Sequence, residues 1–351
     1  MNKITVNASK TYDIYIGNGI LSSCGSISSR VLKGRRALIV SDDNVAPLYL
    51  RAVRQSLEYS GFKTESFVFP HGERSKNIKT YSDILNFMAE KHFTRSDSVF
   101  ALGGGVTGDM AGFCAASYMR GIDFVQIPTS LLADVDSSVG GKTAIDLDYG
   151  KNLVGAFHQP SFVLCDTDAL DTLPDEFFSD GMAEVIKYAM IRSASLFELL
   201  KTGAQNRIEE VISECVEIKK DIVNRDERET GERKLLNFGH TLGHAAELLS
   251  GFKIHHGHAV AIGMQLMTNA FEKTGICEKG TSERLRDLLS KYLLPHKSPF
   301  DAESLYNAAL SDKKRSGDSV SIIIPKKIGD CDILTLSLGE FKKVVELGVE
   351  N

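Results

Sequence analysis

SVFALGGGVTGDMAGF, residues 98–113, sets an apolar run against Gly103, Gly104, Gly105 and Gly108 and then passes into a helical pattern. The run reads as a β-strand. Glycines directly after it let a backbone approach a phosphate closely, and the helix that follows offers unpaired N–H groups and the positive end of its dipole. The spacing GGGxxGD is neither the GxGxxG dinucleotide fingerprint nor the P-loop pattern GxxxxGK[ST]. A tight strand-to-helix turn would explain it too, but pyrophosphate binding is the stronger reading.

Further apolar runs lie at residues 12–16, 37–41, 64–69, 124–127 and 162–165, with helical periods between several of them, as at 46–59 and 79–91. That alternation predicts βαβ units and a mainly parallel sheet. From about residue 176 to 310 the apolar period is helical, at 182–191, 207–224, 234–249, 258–273 and 281–293. Two late strands, 319–324 and 333–337, precede a last helix. The expected organisation is an α/β nucleotide-binding domain over residues 1–172 and a mostly α-helical domain over 173–351.

The bulk properties exclude several classes. The chain has 351 residues, 42% hydrophobic and 25% charged, with a net charge of −5. No basic tail or stripe suggests a nucleic-acid partner. No apolar run reaches the roughly 18–20 residues of a membrane helix. The opening MNKITVNASK lacks the apolar core of a signal peptide. Six scattered cysteines without a CxxC pair indicate neither a disulfide framework nor a thiolate zinc site, and fit the cytosol.

Other strand ends carry polar groups. Asp42 follows the run ending at Ser41, the segment from His71 to Lys76 follows another, and Thr129 and Ser130 follow a third. Ligands of open α/β sheets bind at such carboxyl ends; helix capping is the plainer alternative for each acid. In the second half, five of nine histidines fall between residues 240 and 258. His240 and His244 share one helix face, but HxxxH lacks the Glu of HExxH. Glu184 lies in an apolar helical stretch, and a buried carboxylate wants a cation, either Lys187 one turn later or a metal. Two imidazoles and one carboxylate make the pattern of a catalytic metal site. Lys142, Lys151 and Asn152, and then Lys219, Arg233 and Asn237, could hold a phosphate and a carboxylate.

Taken in order, PxGExxK, GGGVxGDxxGF, YxRG, DSSVGGKTAI, GKNLVGAFxQP, LxTLP, GMAEVIKY, DERExGxRxLLNFGHTxGHAxE and HGxAVAIGM resemble the dehydroquinate synthase family from about residue 37 to about 330. The first 35 residues carry little resemblance. The resemblance implies an NAD- and metal-dependent enzyme that makes dehydroquinate from a seven-carbon keto acid phosphate, with zinc or cobalt as the ion. It implies Glu184, His240 and His256 as metal ligands. It implies NAD contacts from Asp42, His71, Gly72, Glu73, Arg74, Ser75, Lys76, Gly105, Val106, Thr107, Gly108, Asp109, Thr129, Ser130, Lys142, Lys151, Ala169, Leu170, Asp171 and Thr172. The implied substrate set is Asp136, Lys142, Asn152, Lys187, Lys219, Glu229, Arg233, Asn237 and His244, with Arg120 reaching the partner's site in a homodimer and Lys313 or Lys314 closing over phosphate. The family often has Leu-His-Gly-Glu where this chain has His255-His256-Gly257-His258, so two extra histidines flank the expected ligand. Another sugar phosphate cyclase, a metal-dependent polyol dehydrogenase and a non-catalytic NAD or metal-binding module are the rival readings.

Overall fold

The structure, a computed structural model, describes the backbone of residues 1–313 and 319–350 and the side chains of all of these except 311–313. The chain divides into two compact units, one of residues 1–174 and 212–228 and the other of residues 175–211 and 229–351.

In unit 1, β1 (Asn2–Asn7), β2 (Thr11–Gly17), β3 (Arg36–Asp42), β4 (Lys63–Phe69), β5 (Ser98–Gly103), β6 (Asp123–Pro128) and β9 (Phe162–Asp166) form one sheet in the order β1-β2-β9-β6-β5-β3-β4. Every pairing is parallel except β1 with β2. Alternate residues of the central strands feed two separate cores. Ala37 and Ile39 pack with α1 (Cys24–Val31) and α2 (Arg51–Tyr59), whereas Leu38 and Val40 pack with α3 (Ile78–Glu90) and α4 (Gly105–Ser117). Coverage of both faces is why these strands read as unbroken apolar runs. Each large apolar side chain so buried contributes about 1.5–3 kcal/mol.

Two features depart from the sequence reading. Residues 142–157, which lie outside the strands expected from the sequence, form an antiparallel hairpin of β7 (Lys142–Leu147) and β8 (Gly150–Phe157). A Cβ at Gly155 would overlap the Thr143 carbonyl oxygen, so this glycine belongs to a strand that another backbone approaches. Where the sequence reading divides the chain once, at 172/173, residues 212–228, most of them in α7 (Ile208–Arg225), group with unit 1. Polar ties hold them there. Asn2 Nδ2 donates to Ser213 Oγ at 3.1 Å, Asn7 N to Asn224 Oδ1 at 2.8 Å, and Gln159 Nε2 to Glu227 Oε1 at 2.7 Å.

Unit 2 is built on α5 (Asp175–Arg192), whose residues from Ser179 to Ile191 are all buried. Around it stand α6 (Ala194–Thr202), α8 (His240–Leu249), α9 (His256–Lys273), α10 (Thr281–Lys291), α11 (Ala302–Lys313) and α12 (Leu338–Val349), with the hairpin β10 (Ser319–Lys327) and β11 (Asp330–Ser337). Ser337 and Glu340 close a capping box that starts α12. The single helix expected over 234–249 is two, a 3-10 stretch Glu232–Asn237 and then α8, parted at Gly239, whose φ of 81° favours glycine. All six cysteines are free and buried. Among the described residues no helix is long and apolar enough to cross a membrane.

Asp134 stands in the wide helical turn Ala133–Ser137, 1% exposed, and neither carboxyl oxygen accepts a hydrogen bond of ordinary geometry. Burial pushes its carboxyl well above the usual range, although the neighbouring Cys165 thiol pulls the other way. A raised folded-state pKa adds stability below about pH 4 that is lost as pH rises toward the folded value. Asp134→Asn is therefore expected to raise the melting temperature by a few degrees at pH ~8 and by clearly less at pH ~5. A thermal shift equal at both values, measured by calorimetry, would refute this account of the buried acid.

Candidate active site

The direction of chain progression reverses between β3 and β5. From β3 the chain goes outward to β4 and returns to β5 on the other side of β3. Such a switch point opens a ligand crevice at the carboxyl ends of the two strands. Asp42 ends one strand, and Gly103 ends the other. Thr107 Oγ1 lies 3.4 Å from Asp42 Oδ2. Asp42 Oδ1 is spent on local capping, accepting from Asn44 N and Val45 N at 2.9 and 3.0 Å. A Cβ at Gly108 would stand 2.7 Å from Gln126 Oε1, so a larger residue there would have to displace the Gln126 amide on β6.

Neighbouring strand ends converge on the same edge. Thr129 N donates to Gly103 O at 3.1 Å, and Ser130 lies against Gly104. In the segment from His71 through Gly72, Glu73, Arg74 and Ser75 to Lys76, the buried Lys76 Nζ donates to Asp109 Oδ2 at 2.5 Å and to Asn152 Oδ1 at 2.6 Å. Glu73 faces Lys151 at 3.9 Å. Burial lifts the Asp109 carboxyl even against the charge of Lys76; burial lowers Lys76, but Asp109 and Glu73 outweigh it and the ammonium is raised. Across the edge, Tyr49 OH bonds Thr172 Oγ1 at 2.5 Å and Ala169 O at 3.2 Å. Leu170 is buried in the same short helix and Asp171 is exposed.

In unit 2 three side chains converge on one point. Glu184, fully buried on α5, splits its two oxygens. Oε2 takes Lys187 Nζ, and Oε1 lies 3.6 Å from His240 Nε2 and 3.5 Å from His256 Nε2. The three ligand atoms lie within 4.8 Å of one another. Bonds of about 2.1 Å at tetrahedral angles separate neighbouring ligand atoms by about 3.4 Å, so this donor set fits a zinc or cobalt ion and leaves positions open. Burial pulls His240 down to about 3 against the attraction of Glu184. Burial opposes charge on His256 as well, but its hydrogen bonds to Glu184 and Glu247 prevail and push it up to about 10.

The family model "3-dehydroquinate synthase N-terminal" matches residues 66–180, and "3-dehydroquinate synthase C-terminal" matches residues 181–315. A 3-dehydroquinate synthase of Clostridium kluyveri is 44% identical over 348 residues, 97% of each chain. The chain belongs to the 3-dehydroquinate synthase family. Among solved structures it is similar to 2-deoxy-scyllo-inosose synthase complexed with carbaglucose-6-phosphate, NAD+ and Co2+, at 25% identity and TM-score 0.88 over 98% of this chain and 99% of that one. It is likewise similar to 2-epi-5-epi-valiolone synthase from Streptomyces hygroscopicus with NAD+ and Zn2+, at 26% identity and TM-score 0.86 over 99% and 98%.

Other residues that the dehydroquinate synthase resemblance nominates fall into local pairs. Lys219 Nζ donates to Asp136 O and Oδ1 at 2.5 and 2.8 Å. Asn237 Nδ2 donates to Glu229, and Glu229 holds a φ of 60°. Arg233 is buried in the 3-10 stretch before Gly239. Lys142 opens β7 opposite Phe157. His244, exposed, stands one turn beyond His240 with ring centroids 5.4 Å apart. Val106 lies in the first turn of α4. The two extra histidines turn to α5 rather than to the cluster: His255 Nε2 is 3.0 Å from Glu176 and His258 Nδ1 is 3.1 Å from Asp180. Lys314 and the Lys313 side chain lie outside the described residues. The sequence reading passed over Glu247, although its place seven residues after His240 puts it on the same helix face; its Oε2 lies 3.4 Å from His256 Nδ1.

Glycines set how near these helices come. A Cβ at Gly263 of α9 would overlap the Gly239 carbonyl oxygen, and one at Gly257 would overlap the Asp180 carbonyl oxygen. Gly263→Ala should therefore cost about 1–3 kcal/mol in urea unfolding and weaken zinc binding at the same time. Unaltered stability and affinity in this variant would show that the close crossing does not set the ligand geometry.

Proposed function

We propose that this chain catalyses the 3-dehydroquinate synthase reaction, converting 3-deoxy-D-arabino-heptulosonate 7-phosphate to 3-dehydroquinate and phosphate. One observation carries the reading: in a chain of this family, two imidazoles and one carboxylate bring their ligand atoms within 4.8 Å of one another. When bound, a divalent ion would polarise substrate hydroxyls, and NAD would accept a hydride and give it back within one turnover.

The remaining tasks fall to side chains. Glu184, His240 and His256 would hold the ion, and Lys187 pairs with Glu184 at a site where a lone carboxylate would be costly. Lys142, Asn152, Asn237 and His244 would hold the departing phosphate, which itself takes up the proton in this reading, so the protein's task is positioning. Glu229 orients Asn237, and Asp136 holds Lys219. Lys219 and Arg233 would meet the substrate carboxylate, the feature that sets a keto acid phosphate apart from the substrates of other sugar phosphate cyclases. The strand ends of unit 1, from Asp42 to Thr172, would take NAD. Alignment of reacting groups of this kind is worth up to about 7–11 kcal/mol.

A phosphate-release assay with the heptulosonate phosphate tests the assignment. Phosphate should appear without net NADH, stop on treatment with chelator and return with zinc or cobalt. Glu184→Ala and His240→Ala should each lose both ion and turnover. Net NAD reduction with a simple alcohol would point to a polyol dehydrogenase instead, and turnover only with a sugar phosphate lacking a carboxylate would point to another cyclase.

The proposed assembly is a homodimer in which Arg120 serves the partner's site. Met119 and Arg120 have φ of 49° and 69° ahead of Gly121, a strained corner of the sort kept at functional sites. Close by in the same unit, the β7–β8 hairpin exposes Leu147, Tyr149, Leu153 and Phe157. Sedimentation should give twice the chain mass. Mixing an inactive Arg120→Ala chain with an inactive Glu184→Ala chain should restore part of the activity. No recovery from verified mixed dimers would exclude the shared site.

A further inference from the structure

We propose that Glu247 is a positioning residue for the ion site: its carboxylate accepts the Nδ1 proton of His256 and so presents Nε2 of that ring, bare, to the ion. The proposal rests on the reading that Glu184, His240 and His256 hold a divalent cation. An imidazole ligates through a nitrogen that carries no proton, and a neutral ring then keeps its proton on the other nitrogen. In His256 the nitrogen facing Glu184 is Nε2, at 3.5 Å, and Nδ1 faces Glu247 Oε2 at 3.4 Å. Glu247 is 4% exposed on α8, and a buried carboxylate persists when it has a donor to accept from.

His240 provides the comparison. Its Nδ1 lies 3.2 Å from the Phe238 carbonyl oxygen, so its ring is held by a neutral acceptor belonging to its own chain segment. Among the described residues no backbone oxygen takes this part for His256, which opens α9 directly after the extended His255. A charged acceptor on a different helix takes over that task. It fixes the ring across the α8–α9 crossing, and a carboxylate also raises the basicity of the ligating nitrogen more than a carbonyl does.

A second arrangement has to be weighed. His244, Glu247 and His256 also lie within ligand distance of one another. A second ion there would require His256 to ligate through both nitrogens, which demands loss of the last ring proton, and it would rely on the exposed His244. The geometry therefore favours one ion, with Glu247 behind the ligand rather than on the metal.

The test uses the full-length protein loaded with zinc and, separately, with cobalt. Metal analysis should give one ion per chain. Chelator competition should show about 10–100-fold weaker binding in Glu247→Ala, with a smaller loss in Glu247→Gln, which keeps a carbonyl acceptor. The cobalt absorption bands should shift in both variants. Nitrogen NMR of histidine-labelled, zinc-loaded wild type should find the His256 proton on Nδ1, a readout that needs no variant to fold. Two ions per chain, a His256 proton on Nε2, or chelator competition indistinguishable between Glu247→Gln, Glu247→Ala and wild type would each overturn the role of Glu247. A wild-type protein that binds no divalent cation would instead overturn the ion reading itself.

Discussion

Backbone-to-backbone contact among three helices governs unit 2. Helix axes ordinarily pass about 8–10 Å apart because side chains fill the gap. Here Gly263 meets the carbonyl of Gly239, Gly243 meets Ala259, and Gly257 meets the carbonyl of Asp180. The first two contacts bring α8 and α9 together, and the third brings the start of α9 onto α5 one turn before Glu184. His240 and His256 stand at the starts of their helices, where this approach is tightest. The short imidazole reach then suffices to put both Nε2 atoms near one carboxylate oxygen. The glycines lack side chains to touch the ion, yet they decide whether the ligand atoms can meet.

Electrostatics imposes the matching constraint. A carboxylate with no solvent exposure is costly unless its charge is answered. Lys187, one turn along α5, answers it on one oxygen and leaves the other directed at the imidazoles. Without an ion, the competing demands separate the two rings: buried His240 stays neutral, whereas His256, between two carboxylates, carries the proton. A cation held by Glu184, His240 and His256 would take the place of that proton, so the cluster would exchange one positive charge for another instead of creating charge in a low-dielectric interior.

Much of this was legible in the sequence because local rules and tertiary structure agreed. The apolar runs 37–41, 98–102 and 162–165 are strands because both faces of the sheet are covered, and the glycines after residue 102 do stand at a strand-to-helix turn. What escaped depends on contacts remote in sequence. Gly155 reads as a loop residue unless the Thr143 backbone beside it is known. The grouping of 212–228 with unit 1 rests on side-chain bonds to residues near the chain start, which no periodicity encodes. Gly239 looks tolerable inside a helical period, yet its positive φ ends one segment and starts another. Five clustered histidines suggested an ion, but the sequence could not show that His255 and His258 turn toward Glu176 and Asp180.

Fold alone leaves the substrate open, since solved sugar phosphate cyclases with other products share this architecture across nearly their whole length. Discrimination must come from individual side chains. Lys219 is a strong candidate on physical grounds. Its ammonium is almost wholly buried and is held by a backbone carbonyl and by the Asp136 carboxylate, itself partly open to solvent. A long, flexible cation fixed this way has already lost its rotamer freedom, so a substrate carboxylate that met it would gain the charge interaction without the ordering cost. Arg233, 2% exposed, is buried as well. If both cations met the substrate, they would favour one that carries a carboxylate as well as a phosphate more strongly than two surface lysines would, because groups already buried and ordered pay little further desolvation or ordering cost on binding.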